Sequence, residues 1–337
     1  MNTSLITTDR LLTALRAAGE PTRLRILALL AESERSVKDL TDILGQSQPR
    51  ISRHLKLLAD AGLIARHREG AWAFFRLADD GPGAAFAQDL VDKLDRSDPV
   101  LVRDRMRLDA VRRAHSEAAA AYFRRLAPQW DSLRSLHVRD DAIEEATRRM
   151  LGQDRLDHVV DLGTGTGRML EVLADCAGRG VGVDLSHDML RYARSRLERA
   201  GLSGFQVRHG DIFNLTLEDG IADAVTIHQV LHYLDEPERA IAEAARILKS
   251  GGKLLIVDFA PHGLEFLRSD HAHRRLGFAR EQIADWMASA GVELAAHEEF
   301  PPDDPDAAEI GRLTVSLWLG RRTGEPATRV NQAEEAA

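Results

Sequence analysis

The stretch Val159-Val160-Asp161-Leu162-Gly163-Thr164-Gly165-Thr166-Gly167 decides how the second half of the chain folds. Its apolar start reads as a buried strand. Three glycines follow at every second position. Arg168-Met169-Leu170-Glu171-Val172-Leu173-Ala174 then takes up a helical pattern. Strand, tight glycine turn and helix together aim backbone N–H groups and a helix N-terminus at a ligand. Glycine serves there because a Cβ would block close approach and disfavour positive φ.

The spacing is specific. A G-x-G-x-x-G dinucleotide fingerprint would put its third glycine where Arg168 stands. The pattern present is Asp-x-Gly-x-Gly-x-Gly, led by Asp161. About twenty residues on, where an acid that holds ribose hydroxyls is expected, Gly182-Val183-Asp184-Leu185 closes another apolar run. Glycines, a preceding acid and a strand-end acid together point to an adenosyl-ligand site. On these residues the stretch resembles the class I S-adenosylmethionine-dependent methyltransferases, in particular the small-molecule methyltransferases of ubiquinone biosynthesis. The likeness extends over residues 120–321.

The 337 residues suggest two domains. With 44% hydrophobic and 29% charged residues, the composition is that of a soluble globular protein. No apolar run has the length of a membrane span, and the N-terminus lacks a secretory pattern. A single cysteine, Cys176, excludes an internal disulfide framework and a multi-cysteine metal site. A cytoplasmic location is therefore expected. The net charge of −8 argues against a globally basic nucleic-acid binder. Residues 47–76 nevertheless carry Arg50, Arg53, Lys56, Arg66, Arg68 and Arg76 against Asp60 and Glu69, a net +4. A basic patch on an acidic chain indicates one DNA-facing element.

The first segment supplies that element. Arg10 to Ala18 is a helical pattern ended by Gly19. An apolar helix follows Pro21-Thr22, and a third helix runs from Val37 to Leu44 and ends at Gly45. Ser47 is placed to cap a fourth, Gln48 to Leu58. In it Ile51, Leu55 and Leu58 share one face, which leaves Gln48, Arg50, Ser52, Arg53, His54 and Lys56 for base edges and phosphates. Gly62 to Leu77 reads as two strands around a turn at Glu69-Gly70, a wing whose Arg66 and Arg68 reach the DNA backbone. On "SQPRISRHLKLLADAGLI" and "RHREGAWAFFRL", residues 10–80 resemble the ArsR-type winged helix-turn-helix repressors. Many metal-sensing members carry cysteines in the third helix. Here that stretch reads Ser36-Val37-Lys38-Asp39-Leu40, so no metal is assigned.

Residues 79–83 read as a break, Ala84 to Asp95 as a helix, and Ser97 or Asp98 before Pro99 as the start of a long helix to Leu126. That helix is expected to join the domains and to supply a dimer contact. Recognition helices that enter successive major grooves usually belong to two-fold dimers, and the ArsR resemblance implies the same, so a homodimer is expected. Beyond it, Trp130 is read either as a lid over the cofactor or as core packing.

Strands then end at Asp161, Asp184, Asp211, His228 and Asp258, and ligands of open α/β sheets bind beyond such ends. Val292 to Phe300 and Leu313 to Leu319 close the sheet. The fold class expected is α/β: an N-terminal winged helix-turn-helix plus a C-terminal Rossmann-like methyltransferase domain. Its sheet has seven mostly parallel strands and an antiparallel final one. The divisions expected are 1–80, a helical linker 81–128, the cofactor-binding domain 129–322 and a disordered tail 323–337.

The methyltransferase resemblance implies parts for these residues. Gly163, Gly165 and Gly167 approach the amino-acid moiety of S-adenosylmethionine or S-adenosylhomocysteine, and Asp161 orients its ammonium. Asp184, with Leu185 beside it, takes the ribose hydroxyls. Asp211 accepts from the adenine amino group, and the Ile212 N–H faces a ring nitrogen. Asp258 is read as cofactor-facing or structural. His228 lies where an acceptor would meet the methyl group and titrates in the useful range, so it is the first candidate base, against a packing role. His232 matches a pattern frequent in such enzymes and is read as structural. His271-Ala272-His273 is weighed as a metal site against acceptor contacts or surface exposure. Cys176 is placed late in the helix after the glycine loop.

Two functions fit. One is a regulator that senses the cofactor or its product and adjusts methionine or one-carbon genes. The other is an active small-molecule methyltransferase with an autoregulatory DNA-binding domain.

Overall fold

The computed structural model describes residues 7–69, 72–78, 81–126, 140–152, 156–302 and 313–324. Its packing separates two units, Met1–Ala118 and Ala119–Ala337. Among the described residues no helix is long and apolar enough to cross a membrane.

The first unit contains α1 (Thr8–Ala18), α2 (Pro21–Glu32), β1 (Arg35–Ser36), α3 (Val37–Leu44), α4 (Gln48–Asp60), β2 (Ile64–Glu69), β3 (Trp72–Leu77) and α5 (Gly81–Asp92). It also holds the start of α6 (Pro99–Leu126). The three strands pair antiparallel in the order β1-β3-β2. Ile26, Leu27, Leu40, Ile43, Ile51, Leu55, Leu58 and Leu63 form the buried core. A reciprocal capping box between Ser36 and Asp39 starts α3, and Gly45 in the left-handed region ends it. Ser47 occupies the N-cap of α4, but its side chain makes no cap hydrogen bond, contrary to the sequence expectation.

Helix α5 starts at Gly81, inside the segment read as a break, because Pro82 is tolerated in a first turn. Gly83 rests on the Gly62 carbonyl, where a Cβ would come within 2.2 Å of the oxygen. Several polar contacts hold the start of α6 in this unit. Asp104 takes both Nε and Nη2 of Arg25 at 2.6 Å. Arg107 donates to the Ile43 carbonyl at 3.2 Å, and His115 lies 3.7 Å from Asp39.

The second unit contains α7 (Asp140–Leu151), β4 (Leu156–Leu162), α8 (Arg168–Leu173), β5 (Ala177–Asp184), α9 (His187–Arg199), β6 (Phe205–His209) and β7 (Ala222–His228). A 3₁₀ turn (Leu231–Tyr233), α10 (Pro237–Ile247), β8 (Leu248–Phe259), α11 (Phe266–Asp270), α12 (Arg280–Ser289), β9 (Val292–Phe300) and β10 (Val315–Arg322) follow. Seven strands lie in the order β6-β5-β4-β7-β8-β10-β9. The first five pair in parallel, and β10 runs antiparallel to both neighbours, as the sequence reading has it. Side chains alternate between two apolar layers: Val160, Ile227 and Ile256 enter one, and Val159, Leu255 and Val257 the other. Strand order turns back at β4, the switch point at which open sheets bind ligands.

Some local readings differ. Strand β8 begins at Leu248, before Gly251-Gly252, through a register shift opposite Ala222 and Ala224. Cys176 is not in a helix: α8 stops at Leu173, and the half-buried thiol sits in the following turn and donates to the Leu173 carbonyl. The wing turn at 70–71, Trp130 and residues 325–337 of the tail lie outside the described residues.

Candidate functional site

The glycine loop leaves β4 and wraps the end of β5. Gly163 and Thr164 both donate to the Val183 carbonyl, at 2.8 and 3.0 Å. Gly163 has φ +73°, and a Cβ there would lie 2.4 Å from a Val230 methyl. Gly167, at φ +79°, caps α8 against Ala193. Both positions therefore need glycine for conformation and for space.

The Asp184 carboxylate joins the parts. One oxygen accepts the Gly165 N–H and the other the Ser186 N–H, each at 2.8 Å. Ser186 in turn caps α9 through Met189 N, as its sequence position suggests. Burial pushes the Asp184 carboxyl above the usual carboxylate range, and the backbone donors only partly offset this. The carboxylate keeps capacity for a further hydroxyl donor. Leu185 stands 47% exposed beside it. The neighbouring rim carries His209, which bonds the Leu185 carbonyl at 3.0 Å and stacks on His187 at 4.0 Å. Asp211 follows β6 on the exposed surface and accepts the Phe213 N–H, with Ile212 half-buried against the core.

Asp161 lies deeper than a strand tip. It is buried one residue before the end of β4 and accepts the Thr226 hydroxyl at 2.6 Å. His228 ends β7, half-buried beside Val257. Gln229 follows with φ +54°, a conformation L residues rarely adopt, and donates to the Val257 carbonyl. The glycine loop, Asp184 and the ends of β6, β7 and β8 thus share the carboxyl edge of the sheet.

One constellation was not read from the sequence. Asp258, buried near the end of β8, accepts from His232 Nδ1 at 2.8 Å, and from Phe259 N. Arg274 and Arg275 N–H groups both donate to the His232 carbonyl. They pin the segment after α11 onto this turn. As a result His273 is buried with its ring 4.2 Å from that of His232, and His271 bonds the Tyr122 hydroxyl at 2.8 Å. The tyrosine comes from the last turns of α6, and burial pushes its hydroxyl up to about 12. Among the described residues no group of three His, Cys, Asp or Glu is arranged to hold a metal ion.

In the first unit Gln48, Arg50, Ser52, Arg53 and Lys56 are all exposed on α4, and Arg66 and Arg68 are exposed on β2. His54 stands apart from them. It is half-buried with Nδ1 3.6 Å from Glu20, and burial lowers its basicity.

Two separate stretches of the chain match known families. Residues 160–256 match the family described as "Methyltransferase domain", and residues 20–66 match "Bacterial regulatory protein, arsR family". The chain is 30% identical over 201 residues to the demethylmenaquinone methyltransferase of Thermobifida fusca, across 59% of this chain and 79% of that one. It is 40% identical over 103 residues to an uncharacterized 37.1 kDa protein in a transposon of Streptomyces fradiae, across 30% of this chain and 29% of that one. Among solved structures, a chain in the Haloferax volcanii complex containing the Trm112 methyltransferase activator superposes with TM-score 0.50 at 23% identity. That superposition covers 60% of this chain and 98% of the other, and speaks to fold alone. The chain belongs to the class I methyltransferase family and carries an ArsR-family helix-turn-helix in the same polypeptide.

Proposed function

We propose that the chain is a DNA-binding transcriptional regulator whose methyltransferase-fold unit senses S-adenosylmethionine or S-adenosylhomocysteine. The observation that carries this reading is the loop-to-carboxylate link from Gly165 to Asp184, in a chain that also presents an exposed basic helix. The site fits the ligand on its own terms. The loop lacks Cβ atoms where a ligand must approach, and Asp184 keeps acceptor capacity for a ribose hydroxyl. Gly163, Gly165 and Gly167 would hold the amino-acid end, with Asp161 toward the ammonium. Asp184 and Leu185 would hold the ribose, Asp211 and Ile212 the adenine, and His228 would face the sulfur end. When bound, S-adenosylmethionine supplies a methyl group on a sulfonium.

The two ligands shift operator affinity only so far as they bind the DNA-competent and incompetent states differently. Genes of methionine and one-carbon supply are the targets such a sensor would adjust. The chain acts as a cytoplasmic homodimer on double-stranded operator DNA in this reading. Exposed Leu12, Leu15, Val100, Val102 and Met106 supply the apolar surface for the partner protomer. Operator-shift titration with and without each ligand tests it. An affinity change of tenfold or more, abolished in Asp184→Ala, is expected. Unchanged affinity at saturating ligand overturns it.

A second reading, an active small-molecule methyltransferase with an autoregulatory DNA-binding unit, is favoured by the Asp258–His232 pair. A side-chain base matters when an acceptor must lose a proton.

A further inference from the structure

We infer that Glu144 on α7 and Arg168 at the start of α8 form a strap that holds the glycine loop in its ligand-ready shape before any ligand arrives. Both are positioning residues that act through the loop backbone. The ligand part of this rests on the sensor reading above.

The local sequence works against an ordered end to the loop. Helix α8 is only six residues long, Arg168–Leu173, and a helix that short does not hold itself together in water. Its N-cap is Gly167, and no side chain caps its first N–H groups. Its first residue is the cation Arg168, at the end where the helix dipole disfavours positive charge. The loop is nevertheless closed, with the Gly167 N–H donating to the Thr164 carbonyl at 2.8 Å.

The strap supplies what the helix lacks. Arg168 donates from Nε and Nη2 to the two oxygens of Glu144, each at 2.7 Å, and from Nη1 to Glu171 at 2.7 Å. A two-pronged pair of this kind fixes orientation as well as position. Glu144 is 8% exposed, so salt screens the pair little. The hydrogen bonds to Glu144 hold the guanidinium above its usual basicity. On the other side of Gly167, Arg196 of α9 donates to the Thr166 hydroxyl at 3.1 Å and lies 3.7 Å from Glu171. Gly167, at φ +79°, is therefore pinned on both sides by arginines whose charges two glutamates balance.

A site ordered in advance binds without the entropy cost of ordering it. Breaking the strap moves that cost into the binding step. Helix α7 carries its own control. Arg149 makes a second two-pronged pair, to Glu298 of β9 at 2.9 and 2.7 Å. Strands β7, β8 and β10 lie between β9 and β4, the strand that leads into the loop. Loss of either pair loosens α7, but only loss of the Glu144 pair releases the loop.

Two measurements on the full chain test this. Amide hydrogen exchange, read at single residues by mass spectrometry without ligand, follows the loop directly. Glu144→Gln keeps the side-chain shape and removes the charge, and it should speed exchange at Gly167 at least tenfold. Arg149→Gln should leave that rate within twofold of wild type. Equal rates in all three proteins overturn the proposal. Calorimetry with S-adenosylhomocysteine then reads the consequence. Glu144→Gln should bind at least fivefold more weakly, and Arg149→Gln within twofold of wild type. The same loss in both variants would trace the effect to α7 packing and overturn it. Should Glu144→Gln fail to fold, Arg168→Lys decides, because it keeps the charge and loses the two-pronged geometry. It should speed Gly167 exchange at least threefold, and a wild-type rate overturns the strap. Absence of S-adenosylhomocysteine binding in wild type would sink the sensor reading, and the ligand-free exchange rates would still decide the strap.

Discussion

Asp184 accepts the Gly165 N–H at 2.8 Å, so the end of β5 holds the middle of the glycine loop. The same carboxylate also anchors the entry to α9 through Ser186 N. One side chain thus shapes the loop and, in the proposed reading, would also hold the ligand.

That double duty sets opposed effects on stability and binding. Burial raises the Asp184 pKa in the folded chain, so the native state holds its proton more tightly than the unfolded one. Its contribution is therefore fully present below the unfolded pKa of about 3.9 and is lost as pH rises through the folded value. Asp184→Asn does not titrate. The melting temperature of the variant minus that of wild type, without ligand, should grow as pH is raised from about 4 to 7. A flat difference would contradict the burial argument. S-adenosylhomocysteine affinity should move the other way. Hydrogen bonds to a charged group contribute about 1.5–3 kcal/mol each, so Asp184→Ala should weaken binding by tenfold or more in calorimetry.

Gly163→Ala should destabilise the second unit through two separable terms. Positive φ costs an L residue about 1–2 kcal/mol. The added methyl group would meet Val230 at 2.4 Å, an overpacking cost of about 1–3 kcal/mol. Adding Val230→Ala to Gly163→Ala removes the second term and leaves the first. Chemical denaturation of both single variants and the double should show positive coupling. Additive losses would mean that the loop moves away instead.

These two residues also mark what the sequence makes legible. A glycine at every second position after a β run, then an acid at the next strand end, is a local pattern with one physical reading. The loop, the alternation of strands and helices around it and the winged helix follow from such patterns. The Asp258–His232 pair does not, because it joins residues 26 apart through the packing of β8 on a 3₁₀ turn. The misplaced start of α5 has a similar cause. Gly81-Pro82-Gly83 looks like a breaker by composition, yet the contact of Gly83 with Gly62 rewards a helix there. His54 shares a helix with the exposed polar residues of α4, and only tertiary structure turns it toward Glu20.

That last difference separates DNA contacts from packing. Arg50→Ala and Arg53→Ala should each weaken operator binding and reduce the slope of log K against log salt by about 1, as expected for lost phosphate contacts. His54→Ala should leave the slope unchanged, because its half-buried ring is turned inward, 3.6 Å from Glu20. Fluorescence anisotropy across salt concentrations measures both. A change of slope in His54→Ala would place that ring on the phosphates.

The proposed dimer is argued from exposed apolar side chains. Met106 is 66% exposed on α6, and Leu12 and Leu15 are more than 40% exposed on α1. Single exposed apolar residues need no explanation, but two helices that each present them suggest a covered face. Met106→Glu puts a charge where a twofold interface would bury it, and the twofold axis repeats the insult on both protomers. Sedimentation equilibrium should show wild type as a dimer and the variant as a monomer at micromolar concentration. Operator affinity should fall with it, because a monomer engages one half-site. The circular dichroism spectrum should not change, since the side chain is outside the core of its unit. A variant that stays dimeric would place the protomer contact elsewhere on the chain.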